Sequence, residues 1–378
     1  MEIFEFLEQV VAENGSDLFF SVGAPVHLKR EGVTKPLNMQ AFRSGEVKQL
    51  AYSMMSQKQI AEFEANLEMN LAISAEGLGR FRINVFAQRG ETGMVVRFIR
   101  SQIPAISELN LPPILERLVS LRRGLVLVVG ATGSGKSTTL AAMVNHRNRS
   151  TTGHILTIED PIEFLHEHKM SVVDQREVGM DTLSYDSALR NALREAPDVI
   201  MIGEIRDRST MQQAIAYSET GHLCLSTLHA NNANQAMERI INFFPDAAHH
   251  QLLIDLSLNV AGVIAQRLVP GLTQKLIPAV EVLLSSAYVS DLISKGEIDS
   301  IKEAMKRSNE VGMCTFDQAL YKLYEDGKVS LEQALANADS RTDLLLRVRL
   351  SKGAEDTANP GLELEAESSH GILTRFHR

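Results

Sequence analysis

The residues Gly130, Ala131, Thr132, Gly133, Ser134, Gly135, Lys136, Ser137 and Thr138 read GATGSGKST, and Gly130-x-x-x-x-Gly135-Lys136-Ser137 has the spacing of a phosphate-cradling P-loop. Glycines at the first, fourth and sixth positions let the backbone turn consecutive N–H groups toward phosphate oxygens, and a following helix adds its positive N-terminal end. Lys136 is expected to reach the β- and γ-phosphates and Ser137 to hold Mg²⁺. The apolar run Leu125 to Val129 before the loop and Leu140-Ala141-Ala142-Met143 after it supply the strand and helix that this motif requires.

Removing a γ-phosphate also needs a metal, a group that orients water, and cations for the developing charge. VIMIGEIRD ends an apolar run with Glu204, a candidate Mg²⁺ ligand beside Ser137, with pairing to Arg206 as the alternative role. TIEDPIEF carries Glu159, Asp160 and Glu163 where Pro161 must end a strand, so that one of these acids can serve as base or water-orienting group. HLCLSTLHA is opened by His222 and closed by His229. The strand spacing sends them to opposite ends, which excludes a shared metal and puts His229 where a γ-phosphate sensor would stand. His222 is the weaker candidate. Finally, GRFRINVFAQRG and GMVVRFIR place Arg80, Arg82 and Arg97 in alternation with apolar residues. They either solvate a strand face or reach a nucleotide on a neighbouring domain or subunit as arginine fingers.

These residues need elements to hold them. The 378 residues are enough for about two to three domains. Residues 1–100 read as a mixed α/β unit: a helix, the strands SDLFFSVG and VHLKREG, the helical stretch GEVKQLAYSMMSQKQIAEFEAN, then hairpins. Residues 101–121, with Pro104, Pro112 and Pro113, read as a linker with a short helix. Residues 122–286 alternate apolar strands (GLVLVVG, HILTIED, DVIMIGE, HLCLSTLHA) with amphipathic helices, the pattern of a mostly parallel sheet covered on both faces. From about residue 245 helices are expected to dominate, apart from a strand in LIPAVEVLLS. Residues 287–350 form a helical part, and 351–378 a polar, disordered tail.

Composition removes other classes. A net charge of −9 with dispersed Lys and Arg argues against nucleic acid as a partner, and Cys224 and Cys314 are too few for a disulfide framework, which fits a reducing cytoplasm. MEIFEFLEQVVAENG has no basic start and reads as a helix, not a signal peptide, and the longest apolar stretch, LLIDLSLNVAGVIAQRL, is broken by Asp255, Asn259 and Gln266.

Four segments in order, GATGSGKSTT, ILTIEDPIEF, DVIMIGEIRD and TGHLCLSTLHANNA, resemble the Walker A, Asp box, Walker B and His box of the secretion-superfamily ATPases. SDLFFSVGAPVHLKREG and GRFRINVFAQRG resemble the PAS-like domain of the type IV pilus retraction motors. The resemblance spans residues 1–345. It implies a PAS-like domain, a RecA-like ATPase core, ATP with Mg²⁺, and a homohexameric ring in which Arg82 and Arg97 complete a neighbour's site. The cysteine pairs of the assembly and type II secretion branches are missing, which leaves the retraction (PilT/PilU) branch. Val289, in AYVSDLISKGE, takes the place of a central arginine in the main motor's motif, and the tail beyond Leu350 also departs. Both departures resemble the accessory, PilU-type motors. The implied partners are a PilT-like ATPase and a PilC-like inner-membrane platform protein, with the ring lying peripherally at that membrane. Two other readings are an ATP-binding adaptor with little turnover, favoured less because Lys136, Glu163, Glu204 and His229 are all kept, and a protein-secretion ring ATPase.

Overall fold

The computed structural model describes residues 3–99, 101–308 and 311–356. The tail expected to be disordered therefore lies largely outside the described residues.

The first part begins with helix α1 (Ile3–Ala12), whose Ile3, Phe6, Leu7 and Val10 recur at helical spacing and are buried. Strands β1 (Asp17–Phe20), β2 (His27–Arg30) and β3 (Val33–Pro36) follow. The long helical stretch expected next is two helices, α2 (Glu46–Tyr52) and α3 (Gln57–Asn66). Ser56 starts the second one: its side chain accepts from the Gln59 N–H while the Gln59 side chain accepts from the Ser56 N–H, a reciprocal capping box that interrupts the helical periodicity. Strands β4 (Glu68–Ala75), β5 (Gly79–Gln88) and β6 (Glu91–Ile99) complete an antiparallel sheet in the order β3-β2-β1-β6-β5-β4. Phe81, Ile83, Val85 and Val96 fill its core. Arg82 and Arg97 stand directly opposite each other on the other face.

In the segment between the sheets, helix α4 (Ile114–Val119) is packed and not free: Ile106, Leu111, Leu115 and Leu118 are buried against the second sheet. That sheet is built from β7 (Gly124–Val129), α5 (Lys136–Ser150), β8 (Gly153–Glu159), β9 (Ser171–Glu177), α6 (Tyr185–Ala192), β10 (Val199–Ile202), α7 (Arg208–Glu219) and β11 (Leu223–Leu228). Helices α8 (Ala233–Asn242) and α9 (Asp246–Asn259) lead to β12 (Val260–Pro270) and β13 (Leu276–Leu284). The order is β13-β12-β7-β11-β10-β8-β9, parallel except for β13. Every residue of β7, β10 and β11 is buried, as expected when helices cover both faces. Cys224 lies in the middle of this core, and complete burial pushes its thiol far above the usual range.

The expectation of helices after residue 245 is corrected here. Val260–Pro270 is a long strand beside β7, which helix α9 enters without an intervening turn. Helices α10 (Ala287–Lys295), α11 (Ile301–Arg307), α12 (Phe316–Glu325), α13 (Leu331–Asn337) and α14 (Arg341–Asp356) form the helical C-terminal part. Val289, on α10, is buried in the core, so a charged side chain there would need a partner or a different packing.

Candidate nucleotide site

Because β7, β8, β10 and β11 run parallel, their C-terminal ends meet at one edge of the sheet, the place where open α/β sheets bind ligands. The loop from Gly130 to Gly135 leaves β7 there and enters α5 at Lys136. Gly135 has φ +87°, and a Cβ on it would stand 2.8 Å from Gln266 Nε2; a Cβ on Gly130 would meet the Gln266 carbonyl at 2.5 Å. The glycines at these two positions are thus demanded by conformation and by crowding together. Lys136 Nζ donates to the carbonyls of Gly130 at 2.9 Å and Ala131 at 3.0 Å, which bends the ammonium across the cradle. Burial lowers its pKa, and the negative charges of Glu204 and Glu163 oppose that shift.

The cleft over this loop, about 250 Å³, is lined by Thr132, Gly133, Lys136, Ser137, Glu163 and Glu204, together with Glu159, Asp160, Tyr185, Arg206 and His229. Glu204, one residue beyond Gly203 at the end of β10, receives His229 Nε2 at 3.0 Å on one oxygen and Arg206 Nε at 2.7 Å on the other. Arg206 also stands 3.9 Å from Asp160. The pairing with Arg206 and the place in the cleft are therefore combined in Glu204 and are not alternatives. Glu159 is buried, accepts from Thr157 Oγ1 at 2.7 Å and Gln175 Nε2 at 3.1 Å, and is pushed up to about 7 by desolvation, against the pull of those hydrogen bonds. Ser137, Glu204, Glu163 and Asp160 line the cleft with hard oxygens. No three acids, histidines or cysteines among the described residues gather closely enough to hold a metal by themselves, so Mg²⁺, which takes one or two carboxylates with phosphate oxygens, would enter with the nucleotide. The P-loop geometry, the single cation inside it and this oxygen set fit a magnesium nucleotide.

Other candidates fall elsewhere. His222 precedes β11 at the far end of the sheet, where its ring meets Thr220 Oγ1 at 3.1 Å and the Tyr217 carbonyl at 3.3 Å. It does not share the cleft with His229, and the catalytic expectation for His222 is corrected on that ground. Arg97 Nε donates to Asp17 Oδ1 at 2.7 Å, inside its own sheet. Arg82 Nε reaches across to Glu177 Oε1 of the same chain at 4.0 Å. Glu177 ends β9 next to Glu159, and its other oxygen accepts the Ile162 N–H of the acid loop at 3.2 Å. Arg80 Nε is buried and has no hydrogen-bond partner among the described residues.

Sequence reasoning missed Tyr185, Gln266 and Glu177. None carried a readable signal: Glu177 ends a run, SVVDQRE, without apolar alternation, Tyr185 stands at a helix start and Gln266 in an apolar run.

Comparison with known proteins agrees with this geometry. A sequence profile of the family "Type II/IV secretion system protein" matches residues 3–339. "Type IV pilus ATPase PilU" of Pseudomonas aeruginosa is 51% identical over the full length of both chains. "Type IV pilus retractation ATPase PilT" of the same organism is 38% identical over 89% of this chain and 98% of its own. A crystal structure of the pilus retraction motor PilT with bound ADP superposes with a TM-score of 0.84 at 39% identity, covering 90% of this chain and 98% of that one.

Proposed function

Since the chain belongs to the type II/IV secretion system protein family, and within it to the PilT/PilU pilus ATPases, we propose that it is an ATP-hydrolysing motor that drives or assists type IV pilus retraction as a PilU-type subunit. The observation that carries this reading is the gathering of Lys136, Ser137, Glu163, Glu204 and His229 around one cleft in a chain similar over its full length to a pilus ATPase. An adaptor that only bound ATP would not need the acids and the histidine around the phosphate.

The chemistry follows from charge placement. Loop N–H groups and the N-terminal end of α5 hold the phosphates, and Lys136 leaves its two carbonyl partners to neutralise the β- and γ-oxygens. Ser137 and Glu204 would hold Mg²⁺, which would supply positive charge to the phosphate group. Glu204 is held in place by Arg206 and positions His229 to sense the γ-phosphate. Glu159 is turned toward Thr157 and Gln175, so Glu163 is the carboxylate assigned to orient the attacking water. Arg82 and Arg97 supply further cations, Arg82 by exchanging Glu177 for phosphate.

The remaining assignments extend the same reading. Residues 1–100 are a PAS-like domain, 122–286 a RecA-like core and 287–350 a helical subdomain. Six subunits form a ring whose nucleotide-dependent domain angles act on a PilC-like platform protein at the inner membrane, with a PilT-like ATPase as partner. None of the helices among the described residues is long and apolar enough to cross a membrane.

The test is pilus retraction in cells carrying this chain as their only retraction ATPase and in cells that also hold a catalytically dead PilT. Retraction is expected in the second strain and to vanish there when Lys136→Ala removes the cation from the phosphate site. Retraction that persists with Lys136→Ala would refute the motor reading.

A further inference from the structure

We propose that Gln266 and Arg267, successive residues of β12, are positioning residues that fix the two halves of the nucleotide site: Gln266 holds the P-loop, and Arg267 holds the loop after His229 to the C-terminal helices. The proposal rests on the reading of the cleft as an ATP-hydrolysing site.

Consecutive side chains of a strand leave on opposite faces, so two neighbours can serve two different layers. Gln266 is nearly fully buried, and both ends of its amide are engaged. Nε2 donates to the Ser134 carbonyl at 2.7 Å, and Oε1 accepts from Thr139 Oγ1 at 2.6 Å in the first turn of α5. One side chain thus ties the loop to the helix that follows it, while its own carbonyl crowds Gly130. Losing that amide strands a buried carbonyl and a buried hydroxyl, and the loop must shift to rehydrate them.

Arg267 faces the other layer. Nη2 donates to the Asn231 carbonyl at 3.3 Å and to Asp339 Oδ1 at 2.6 Å, and Nη1 to the Asn337 carbonyl at 2.8 Å. Its guanidinium lies 3.9 Å from the centre of the Phe316 ring. Asn231 is two residues beyond His229, so this one side chain joins the His229 loop to α12 and to the turn after α13. Lys302 of α11 holds the second oxygen of Asp339 at 2.8 Å. Glu281 on the adjoining strand adds a parallel tie, accepting the Ala233 N–H of α8 at 2.8 Å and the Phe316 N–H of α12 at 3.3 Å. A movement of the C-terminal helices is therefore carried to His229, whereas the P-loop is held from the opposite face of the same strand.

The two residues should separate in kinetics. In the purified full-length protein, Gln266→Leu is expected to weaken binding of a fluorescent methylanthraniloyl-ADP about 10-fold, and Thr139→Val to shift it in the same direction by less. Arg267→Met should lower kcat about 10-fold with ADP affinity changed less than about two-fold, since it loosens His229 and not the loop. Asp339→Asn, which removes one ion-pair partner, should do the same more weakly and carries the test if Arg267→Met does not fold. Gln266→Leu binding ADP as the wild type does would overturn the proposal, as would Arg267 and Asp339 variants in which affinity and rate fall in step. A wild-type chain that binds no ADP would instead overturn the reading of the cleft.

Discussion

The two sheets manage their charged residues in opposite ways. The parallel sheet buries all of β7, β10 and β11 and releases its polar chemistry at one edge, where Lys136, Glu204 and His229 converge from separate strand ends. The antiparallel sheet buries one face and spreads charge over the other, where Arg82 and Arg97 oppose each other and are balanced by Glu177 and Asp17. A shared edge forces residues that are distant in sequence into one cleft. A shared face only makes them neighbours, and whether they act depends on what comes to cover that face.

The largest effects should therefore fall at the edge. Glu204→Ala and Glu163→Gln are expected to retain nucleotide and lower hydrolysis about 10²-fold or more, as loss of a positioned acid or metal partner does. Single-turnover rates beside ADP titrations would decide it, and equal losses of binding and rate would make both acids structural.

Face residues should matter less and unequally. Arg82→Ala, whose partner Glu177 touches the acid loop, is expected to cut turnover about 10-fold, and Arg97→Ala by less, because Asp17 holds it within its own sheet. Mixing Arg82→Ala subunits with Lys136→Ala subunits then separates the routes. Recovered activity means that the arginine serves a neighbour's site; mixed rings without recovery mean that it serves its own.

The smallest effect concerns stability. Glu159 has a folded-state pKa raised to about 7 against an ordinary 4.5, so the folded protein binds the extra proton between these values. Its contribution is fully present below pH 4.5 and is lost as pH rises through 7, a change on the order of 1–3 kcal/mol at most. Melting curves from pH 5.5 to 8.5 should show Glu159→Gln gaining on the wild type toward high pH. Parallel curves would show that Glu159 is ionised throughout.

The same contrast explains what could be read from the sequence. The P-loop, the acids and His229 were legible because each ends an apolar run, and the covered parallel strands appear as unbroken Val, Ile and Leu. Strand β12 was not, since Val260 follows Asn259 of α9 with no Gly or Pro between them and both segments are apolar. Strands β3 and β9 were missed for the opposite reason: VTKP is exposed throughout, and the buried positions of SVVDQRE include Ser171 and Glu177, so neither carries an apolar alternation in its sequence. Gln266 could not be found without β12. The arginines were visible as an alternating set, but their partners Asp17 and Glu177 belong to strands whose pairing is set by the tertiary fold.

Cys224, sealed between β7 and β10 at the centre of the parallel sheet, gives the protein a built-in clock. A thiol attacks alkylating reagents only as thiolate, and this one is both unreachable and held protonated while the sheet is closed. Its labelling rate therefore counts how often the core of the motor opens, with bound nucleotide slowing the count by as much as it steadies the sheet.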